Sequence, residues 1–337
     1  MYSADVIEFA RQKGYYSGKD EDFSFSDVYN PLDYSALRIC EARVWSFFRQ
    51  VDPSMDKYIS YVKGETKQRM PLYIKPTFKV DAAKFREYMR NMYEGTEFDM
   101  TQQYCADPFG SKLRHSPLRF EVDKVEYWHE RPVATQQSGF VFVAQMRNWL
   151  PNYIGGILWF GVDDAASNIM VPMYCGIYGV PHCFDLKNGN LLEYSPTSAF
   201  WIYNQVANYA YSKYSYMMKD IKKVQAHWES DFDKLVPAID KVALTLPETD
   251  ARKFLTHFSH TQAENSTDAW KKLFEYLLVK YMDGNIKIEK DGRFVQNEFH
   301  IPPSIIRAGY SEEILRRIAK ENPGQRAKTP KEMERRK

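Results

Sequence analysis

The sequence predicts an α+β fold in which antiparallel strands are followed by a helical region. Three apolar runs of strand length are joined by connections too short for a crossover helix, so they are predicted to be antiparallel neighbours. Downstream of Ser195, large apolar residues recur at steps of three and four, which predicts long helices with a packed seam. The 337 residues are 44% hydrophobic and 15% aromatic, enough to bury a sizeable core.

Composition and charge exclude several classes of protein. The chain has 46 basic and 44 acidic residues, and this balance is typical neither of a disordered chain nor of a nucleic-acid binder. No apolar run approaches the ~20 residues of a transmembrane helix, and the first residues lack a signal-peptide pattern. We therefore expect no nucleic-acid partner and no membrane partner, with the cytoplasm as the default compartment.

Residues 1–133 are predicted to form helices and loops, and residues 134–194 an antiparallel β core. Asp81 is a good N-cap, and Asn188-Gly189 predicts a hairpin turn. The predicted helices here are one over the first ten residues that stops at Gly14, one that ends at Asp52-Pro53, and one from Asp81 to Tyr93. The predicted strands are 119–122, 125–128, 138–147, 155–162 and 169–175.

Residues 195–310 are predicted to be helical, and the charged residues 311–337 are predicted to be a disordered tail. The first predicted helix runs beyond Ser198 as far as Trp228. A second covers 229–246 with a bend at Pro237, and a third covers 268–282 after a Ser266/Thr267 cap.

Polar side chains at the ends of the predicted strands are the candidate substrate-binding residues. Two carboxylates directly follow a buried strand, where they either cap a turn or bind an amine or a cation. An arginine closes another apolar strand and either reaches solvent or projects into a cleft. Three polar residues before that strand either bind a ligand or hydrogen-bond within their loop. The candidates are Asp163, Asp164, Arg147, Gln136, Gln137 and Ser138.

Motifs for metals and cofactors are missing from the sequence. It contains no GxGxxG, P-loop, HExxH or GxSxG, so no cofactor is expected. His257 and His260 could share a metal, but no third ligand has a useful spacing, and a solvated helix face is the better interpretation. The cysteines form neither a zinc motif nor a disulfide framework and are expected to be buried thiols. They are Cys40, Cys105, Cys175 and Cys183.

Seven stretches of the chain carry a family pattern. Four are 134–151 (ATQQSGFVFVAQMRNWLP), 155–166 (GGILWFGVDDAA), 171–175 (VPMYC) and 194–202 (YSPTSAFWI). Three more are 20–25 (DEDFSF), 37–47 (LRICEARVWSF) and 93–100 (YEGTEFDM). Together they resemble the bacterial dipeptidases of the N-terminal-nucleophile class, which are relatives of penicillin V acylase and bile-salt hydrolase. The resemblance runs from about residue 4 to about residue 228.

The resemblance implies a cysteine-type dipeptidase with a four-layer αββα sandwich, of which this chain corresponds to the C-terminal portion. In that family a cysteine at the start of the mature chain is the nucleophile, its own α-amino group is the base, and the amide is cleaved through an acyl-enzyme. None of the four cysteines here can replace it, so no catalytic residue is assigned. We therefore expect the chain alone to lack peptidase activity. The implied partners are a short peptide substrate, a separate N-terminal half, and further copies in a homo-oligomer.

Two functions remain open at this point. In the first, the chain is a dipeptidase in which Asp163 holds the free amine of a short peptide and Arg147 holds its carboxylate. In the second, it is a non-catalytic structural or partner-binding fragment that complements a separate N-terminal half and leaves an apolar core face exposed. A carbohydrate-binding module, suggested by 24 Tyr and 7 Trp, is disfavoured by the helices after Ser198.

Overall fold

Helices and antiparallel strands form two compact units, which confirms the α+β class. The computed structural model describes residues 3–30, 32–102, 104–115, 117–300 and 304–329. Within these residues, no helix combines the length and the apolar character needed to cross a membrane. Unit 1 comprises Met1–Met100 and Arg114–Ser138, and unit 2 comprises Thr101–Leu113 and Gly139–Lys337.

Unit 1 consists of short helices and one antiparallel ribbon. Strands β1 (Arg119–Val122) and β2 (Val125–Trp128) have the predicted bounds, and they pair antiparallel. The buried Trp45 anchors the helical part, because its indole N–H donates to the Met55 carbonyl at 2.9 Å. Asp81 caps its helix as predicted, although that helix ends five residues before Tyr93. The helices are α1 (Val6–Gln12), α2 (Phe25–Tyr29), α3 (Tyr34–Ala36), α4 (Ala42–Val51), α5 (Ile59–Val62) and α6 (Ala82–Tyr88).

A three-stranded antiparallel sheet organises unit 2, as the three apolar runs predict. Its strands are β3 (Phe140–Met146), β4 (Gly156–Val162) and β5 (Val171–Tyr174), in the order β3-β4-β5. Phe140 pairs with Val162 at one end, and Met146 pairs with Gly156 at the other. The short helix α7 (Asn152–Gly155) joins β3 to β4.

Three long helices pack in unit 2, but their boundaries differ from the predicted ones. They are α8 (Ala199–Tyr211), α9 (Tyr214–Ala243) and α10 (Glu248–Lys280). The single helix predicted as far as Trp228 is wrong, because Lys213 leaves the helical conformation and its ammonium lies over the Phe109 ring. The predicted break at residue 229 is also wrong, because α9 continues through it.

The predicted start of the last long helix is wrong as well. Ser266 and Thr267 lie buried in the middle of α10, where both hydroxyls donate to the Ala263 carbonyl, at 3.0 and 2.8 Å. A hydroxyl that bonds to the preceding turn is compatible with a helix interior, so these two residues do not act as a cap.

The C-terminal part of unit 2 contains short strands and a helix that the sequence analysis does not predict. Helix α11 lies where a disordered tail is predicted, and Ser311 caps it. The end of that predicted tail, 330–337, lies outside the described residues. At the predicted 188–189 hairpin, the structure has only an isolated bridge between Asn190 and Glu193. The additional elements are β6 (Asn285–Lys287), β7 (Glu289–Lys290), β8 (Arg293–Phe294), β9 (Ile305–Arg307) and α11 (Glu312–Glu321).

The two faces of the main sheet have different surroundings. The buried face carries Ile157 and Trp159, and α8, α9 and α10 pack against β4 and β5. Ser259 of α10 joins helix to strand, because its hydroxyl donates to the Pro172 carbonyl at 3.0 Å. The other face is apolar but open, with Phe140 60% and Met146 75% exposed.

Candidate functional site

The turn after β4 places two neighbouring carboxylates inside unit 2. Asp163 follows the last residue of β4 in a left-handed conformation, φ +62°, which aspartate adopts more readily than most residues. Its N–H donates to the Gly139 carbonyl at 2.9 Å, so the chain turns away directly at the end of the sheet. Asp163 is 3% exposed and Asp164 is 1% exposed. Both carboxylates therefore depend on partners within the protein.

Asp164 is held in a closed set of internal interactions. It forms an ion pair with the equally buried Lys112. Its second carboxylate oxygen accepts a hydrogen bond from the Tyr211 hydroxyl at 3.0 Å, and the N–H of Ala166 donates to the first, also at 3.0 Å. Burial next to this carboxylate raises the pKa of Tyr211, so the phenol remains a donor. These contacts fit the turn-forming interpretation of Asp164.

Asp163 is less completely compensated. One oxygen accepts a hydrogen bond from Asn204 Nδ2 of α8 at 3.0 Å. Burial raises the pKa of Asp163 to about 6, against the opposing effect of that hydrogen bond. Lys112 also acts to lower the pKa of Asp163, but it is one cation facing two carboxylates, so ionisation of both leaves these three side chains with a net negative charge. A protonated amine is a ligand that would balance this charge.

An apolar pocket of about 410 Å³ lies at the end of β3 and β4 that precedes Asp163, although Asp163 itself does not line it. Gly139 and Val162, which flank Asp163 in the sheet, both line it. On α8 the pocket residue Phe200 precedes Asn204 by four residues, so the pocket wall and the donor to Asp163 lie one helical turn apart. We call this the aromatic pocket. It is lined chiefly by Phe140, Phe160, Phe184, Leu191, Phe200 and Trp201.

Arg147 lies at the opposite end of the sheet from Asp163. The six residue steps from Phe140 to Met146 along β3 correspond to about 20 Å, whereas an extended dipeptide spans at most about 7 Å. The expectation that both residues hold the same dipeptide is therefore wrong. Arg147 is buried and pairs with Asp240 of α9, and its guanidinium donates to the Gly155 and Ile154 carbonyls at 3.2 and 2.6 Å.

The three polar candidates before β3 belong to unit 1 and make local hydrogen bonds. Gln136 Nε2 donates to the Arg114 carbonyl at 2.6 Å, and the Arg114 N–H donates to Gln136 Oε1 at 3.4 Å. Gln137 accepts a hydrogen bond from the Thr135 hydroxyl, and the Ser138 hydroxyl donates to the Thr135 carbonyl at 2.9 Å. Ligand binding by these residues remains a prediction.

The cysteines differ in exposure from the expected buried thiols. Cys183 is buried as expected, and burial raises the pKa of its thiol to about 12, which disfavours the nucleophilic thiolate. The other three are exposed, so the expectation is wrong for them: Cys40, Cys105 and Cys175.

The histidine pair does not gain a third ligand. Across the described part of the chain, no cluster of three or more His, Cys, Asp or Glu side chains could hold a metal ion. The ring of His260 lies 3.2 Å from the Gly179 carbonyl, with which it hydrogen-bonds through Nε2.

Sequence reasoning missed the aromatic pocket and the three polar side-chain partners of the carboxylates, Asn204, Lys112 and Tyr211. A usable signal was present on α8. Asn204 follows Phe200 by four residues and Trp201 by three, and each of these spacings places two side chains next to each other on a helix. Lys112 gives no such signal, because it is 52 residues from Asp164 in the chain.

Comparisons with known proteins give consistent results. The sequence model of "Peptidase family C69" matches residues 1–227. The chain is 26% identical over 177 residues to a "Probable dipeptidase" of Salmonella dublin, a match that covers 52% of this chain and 35% of that protein. It is 23% identical over 224 residues to the "Probable dipeptidase B" of Lactococcus lactis subsp. lactis (strain IL1403), covering 66% and 42%. The match thus spans about a third to two fifths of the length of these relatives.

Proposed function

Because the chain belongs to peptidase family C69, we propose that it takes part in the hydrolysis of short peptides and that Asp163 holds the free amino group of the substrate. The observation that carries this proposal is the buried and only partly compensated carboxylate of Asp163, whose neighbours Gly139 and Val162 line the aromatic pocket. Both curated relatives carry the name dipeptidase, and a dipeptide offers a protonated amine close to a side chain.

The opposite charges of a peptide amino group and the Asp163 carboxylate favour binding of the amine. The amino group of a short peptide has a pKa of about 7.7–8.0 and is protonated at pH 7, where Asp163 is mostly ionised. A charge-assisted hydrogen bond contributes about 1.5–3 kcal/mol, and the buried surroundings of Asp163 limit screening by water. An N-acylated peptide has lost this charge and should bind more weakly.

The finer features implied by the family resemblance are part of the proposal. They are a cysteine nucleophile with a free α-amino group, cleavage through an acyl-enzyme, and a four-layer αββα sandwich. The three-stranded sheet of unit 2, with helices on one face and an open apolar surface on the other, is compatible with two layers of such a sandwich.

Ligand-observed NMR titration of the full chain with Ala-Ala and N-acetyl-Ala-Ala tests the role of Asp163. Asp163→Asn keeps an acceptor for Asn204 but removes the charge, so Ala-Ala should bind about tenfold more weakly, equivalent to about 1.4 kcal/mol. The acetylated peptide should bind weakly and equally to both proteins. Asp250→Asn, at an exposed acid of α10, is the matched control and should leave both affinities unchanged.

Equal affinity of the wild-type chain for the two peptides would show that Asp163 does not recognise the amine. Release of alanine in the same spectra reports hydrolysis. No release is expected from the chain alone, because none of its four cysteines is assigned as the nucleophile. Release that thiol alkylation abolishes would overturn that expectation, and release that resists alkylation would contradict cysteine-type chemistry.

A second candidate function, partner binding without catalysis, is favoured by the open face of the sheet. Alternate residues of β3 lie on that face. They include Phe140, Phe142 and Met146, which are all exposed. Apolar surface of this kind is characteristic of a face that another layer covers. In this alternative a partner chain supplies that layer, as a separate N-terminal half of the family's sandwich would.

A further inference from the structure

We infer that the aromatic pocket receives the side chain of the substrate's N-terminal residue and selects peptides that begin with a bulky apolar or aromatic residue. This inference rests on the proposed function, in which Asp163 holds the amine of the same residue. It adds the class of peptide that the site prefers.

The pocket has walls made of aromatic rings that contact one another. Phe160 and Phe184 meet edge to face with their ring centroids 5.3 Å apart, and Phe140 stacks on Phe160 at 6.0 Å. Phe200 and Trp201 close the side formed by α8, with ring centroids 5.5 Å apart. The volume of about 410 Å³ lies within the range of small-ligand pockets, about 300–1,000 Å³. An aromatic side chain can form further edge-to-face contacts with such walls.

Asn188, a polar residue of the pocket wall, already has partners in the protein. The Asn188 side-chain oxygen accepts hydrogen bonds from the hydroxyls of Ser195 and Thr197, at 2.6 and 2.9 Å, and its NH₂ donates to the His182 carbonyl at 3.0 Å. A polar or charged side chain entering the pocket would have to compete with these bonds. An apolar side chain would not, so the wall favours apolar ligands.

The spacing along α8 assigns the pocket to the N-terminal residue. Asn204, which contacts Asp163, lies four residues from Phe200, a rise of about 6 Å along the helix axis. The amine and the side chain of an N-terminal residue share one Cα atom, so the two groups match this short separation. The side chain of the second residue starts one further Cα–Cα step of about 3.8 Å away.

Titration of the full chain with Phe-Ala, Ala-Phe and Ala-Ala, followed by ligand-observed NMR, tests the inference. Phe-Ala should bind at least about tenfold more tightly than Ala-Ala because it buries an aromatic side chain, and Ala-Phe should bind like Ala-Ala. Trp201→Ala should remove most of the preference for Phe-Ala over Ala-Ala. Trp149→Ala, at an exposed tryptophan outside the pocket, should keep the preference.

A second variant separates ligand binding from folding. The indole N–H of Trp201 donates to the carbonyls of Asn190 and Glu193, both at 3.1 Å, so its removal could loosen that loop. Phe140→Ala removes a pocket wall without deleting a side-chain hydrogen bond and should also reduce the preference. Phe142→Ala on the same strand face, which does not line the pocket, is its control.

The outcomes distinguish this inference from the proposed function. Equal affinities for the three dipeptides, together with weaker binding of the acetylated peptide, would overturn the inference and leave the role of Asp163 standing. Tighter binding of Ala-Phe than of Phe-Ala would also overturn it, because the pocket would then hold the second residue. If none of the dipeptides binds, both the inference and the proposed function fail.

Discussion

At the scale of single residues, the burial of Asp163 couples its ionisation to the stability of the folded chain. Its pKa of about 6 lies above the value of about 3.9 expected in the unfolded chain. Between these two values, the folded state holds a proton that the unfolded state has released. The contribution of this carboxyl to stability is therefore complete below about pH 4 and is lost as the pH rises through about 6, by up to about 3 kcal/mol.

Asp163→Asn should remove this pH dependence. Asparagine adopts left-handed conformations readily and does not titrate, so the substitution fits φ +62° without a charge to bury. We expect the thermal unfolding midpoint of the variant, relative to wild type, to be higher at pH 7.5 than at pH 5. A constant difference between the two proteins across this range would show that Asp163 titrates as it does in the unfolded chain.

At the scale of secondary-structure elements, Arg147 links the end of β3 to helix α9 through an ion pair. Its ion pair with Asp240 is buried, with side-chain exposures of 6% and 13%. Asp240 also accepts a hydrogen bond from the Tyr174 hydroxyl of β5 at 2.7 Å. A strand end, a neighbouring strand and a helix therefore meet at this one carboxylate.

Removal of the arginine alone should be strongly destabilising. Arg147→Met leaves the buried Asp240 without its cation and should lower the free energy of unfolding by about 3–5 kcal/mol, measured by urea denaturation. Adding Asp240→Leu should restore most of the loss, because no buried charge then remains. Arg316→Met, in an exposed ion pair on α11, is the control and should cost less than about 1 kcal/mol. A loss from Arg147→Met as small as that of the control would contradict this linking role.

The strands of the main sheet could be predicted from sequence, whereas β6 to β9 and most helix boundaries could not. Each strand of the main sheet is marked by a short apolar run between turns, a local signal, and the strand order β3-β4-β5 follows from short connections. The break between α8 and α9 depends on Lys213 packing over Phe109, about a hundred residues earlier in the chain. The length of α10 depends on hydroxyls that bond within the helix, and in the sequence these resemble a cap.

The candidate site was predictable to a similar extent. Carboxylates directly after a buried strand are unusual, and this local signal identified Asp163 and Asp164. Arg147 carried the same kind of signal, but the antiparallel register places it at the other end of the sheet. The difference between a structural and a ligand-binding role depends on distant partners such as Lys112 and Asp240, which no local pattern predicts.

At the scale of the whole molecule, the helices of the described residues cover the main sheet on one face only. A large apolar area left in water is costly, at roughly 25 cal/mol for each Å². The open face carries Phe142 and Met146, and its exposure favours a further layer from a partner. In that case the same side chains should be protected wherever the partner is present.

The oxidation rate of Met146 measures this protection directly. Methionine oxidation follows exposure, so dilute peroxide should oxidise the 75%-exposed Met146 of the purified chain at least about fivefold faster than in cells of the source organism. Met282, which is also exposed in unit 2 but lies outside this face, should oxidise at similar rates in both and serves as the internal control. Phe142→Lys places a charge on the face and should abolish the protection, whereas Val125→Lys on β2 should not. The ratio of the Met146 oxidation rate to the Met282 oxidation rate should be lower in cells than in the purified chain. If the two ratios are equal, nothing covers this face and the partner-binding function is wrong.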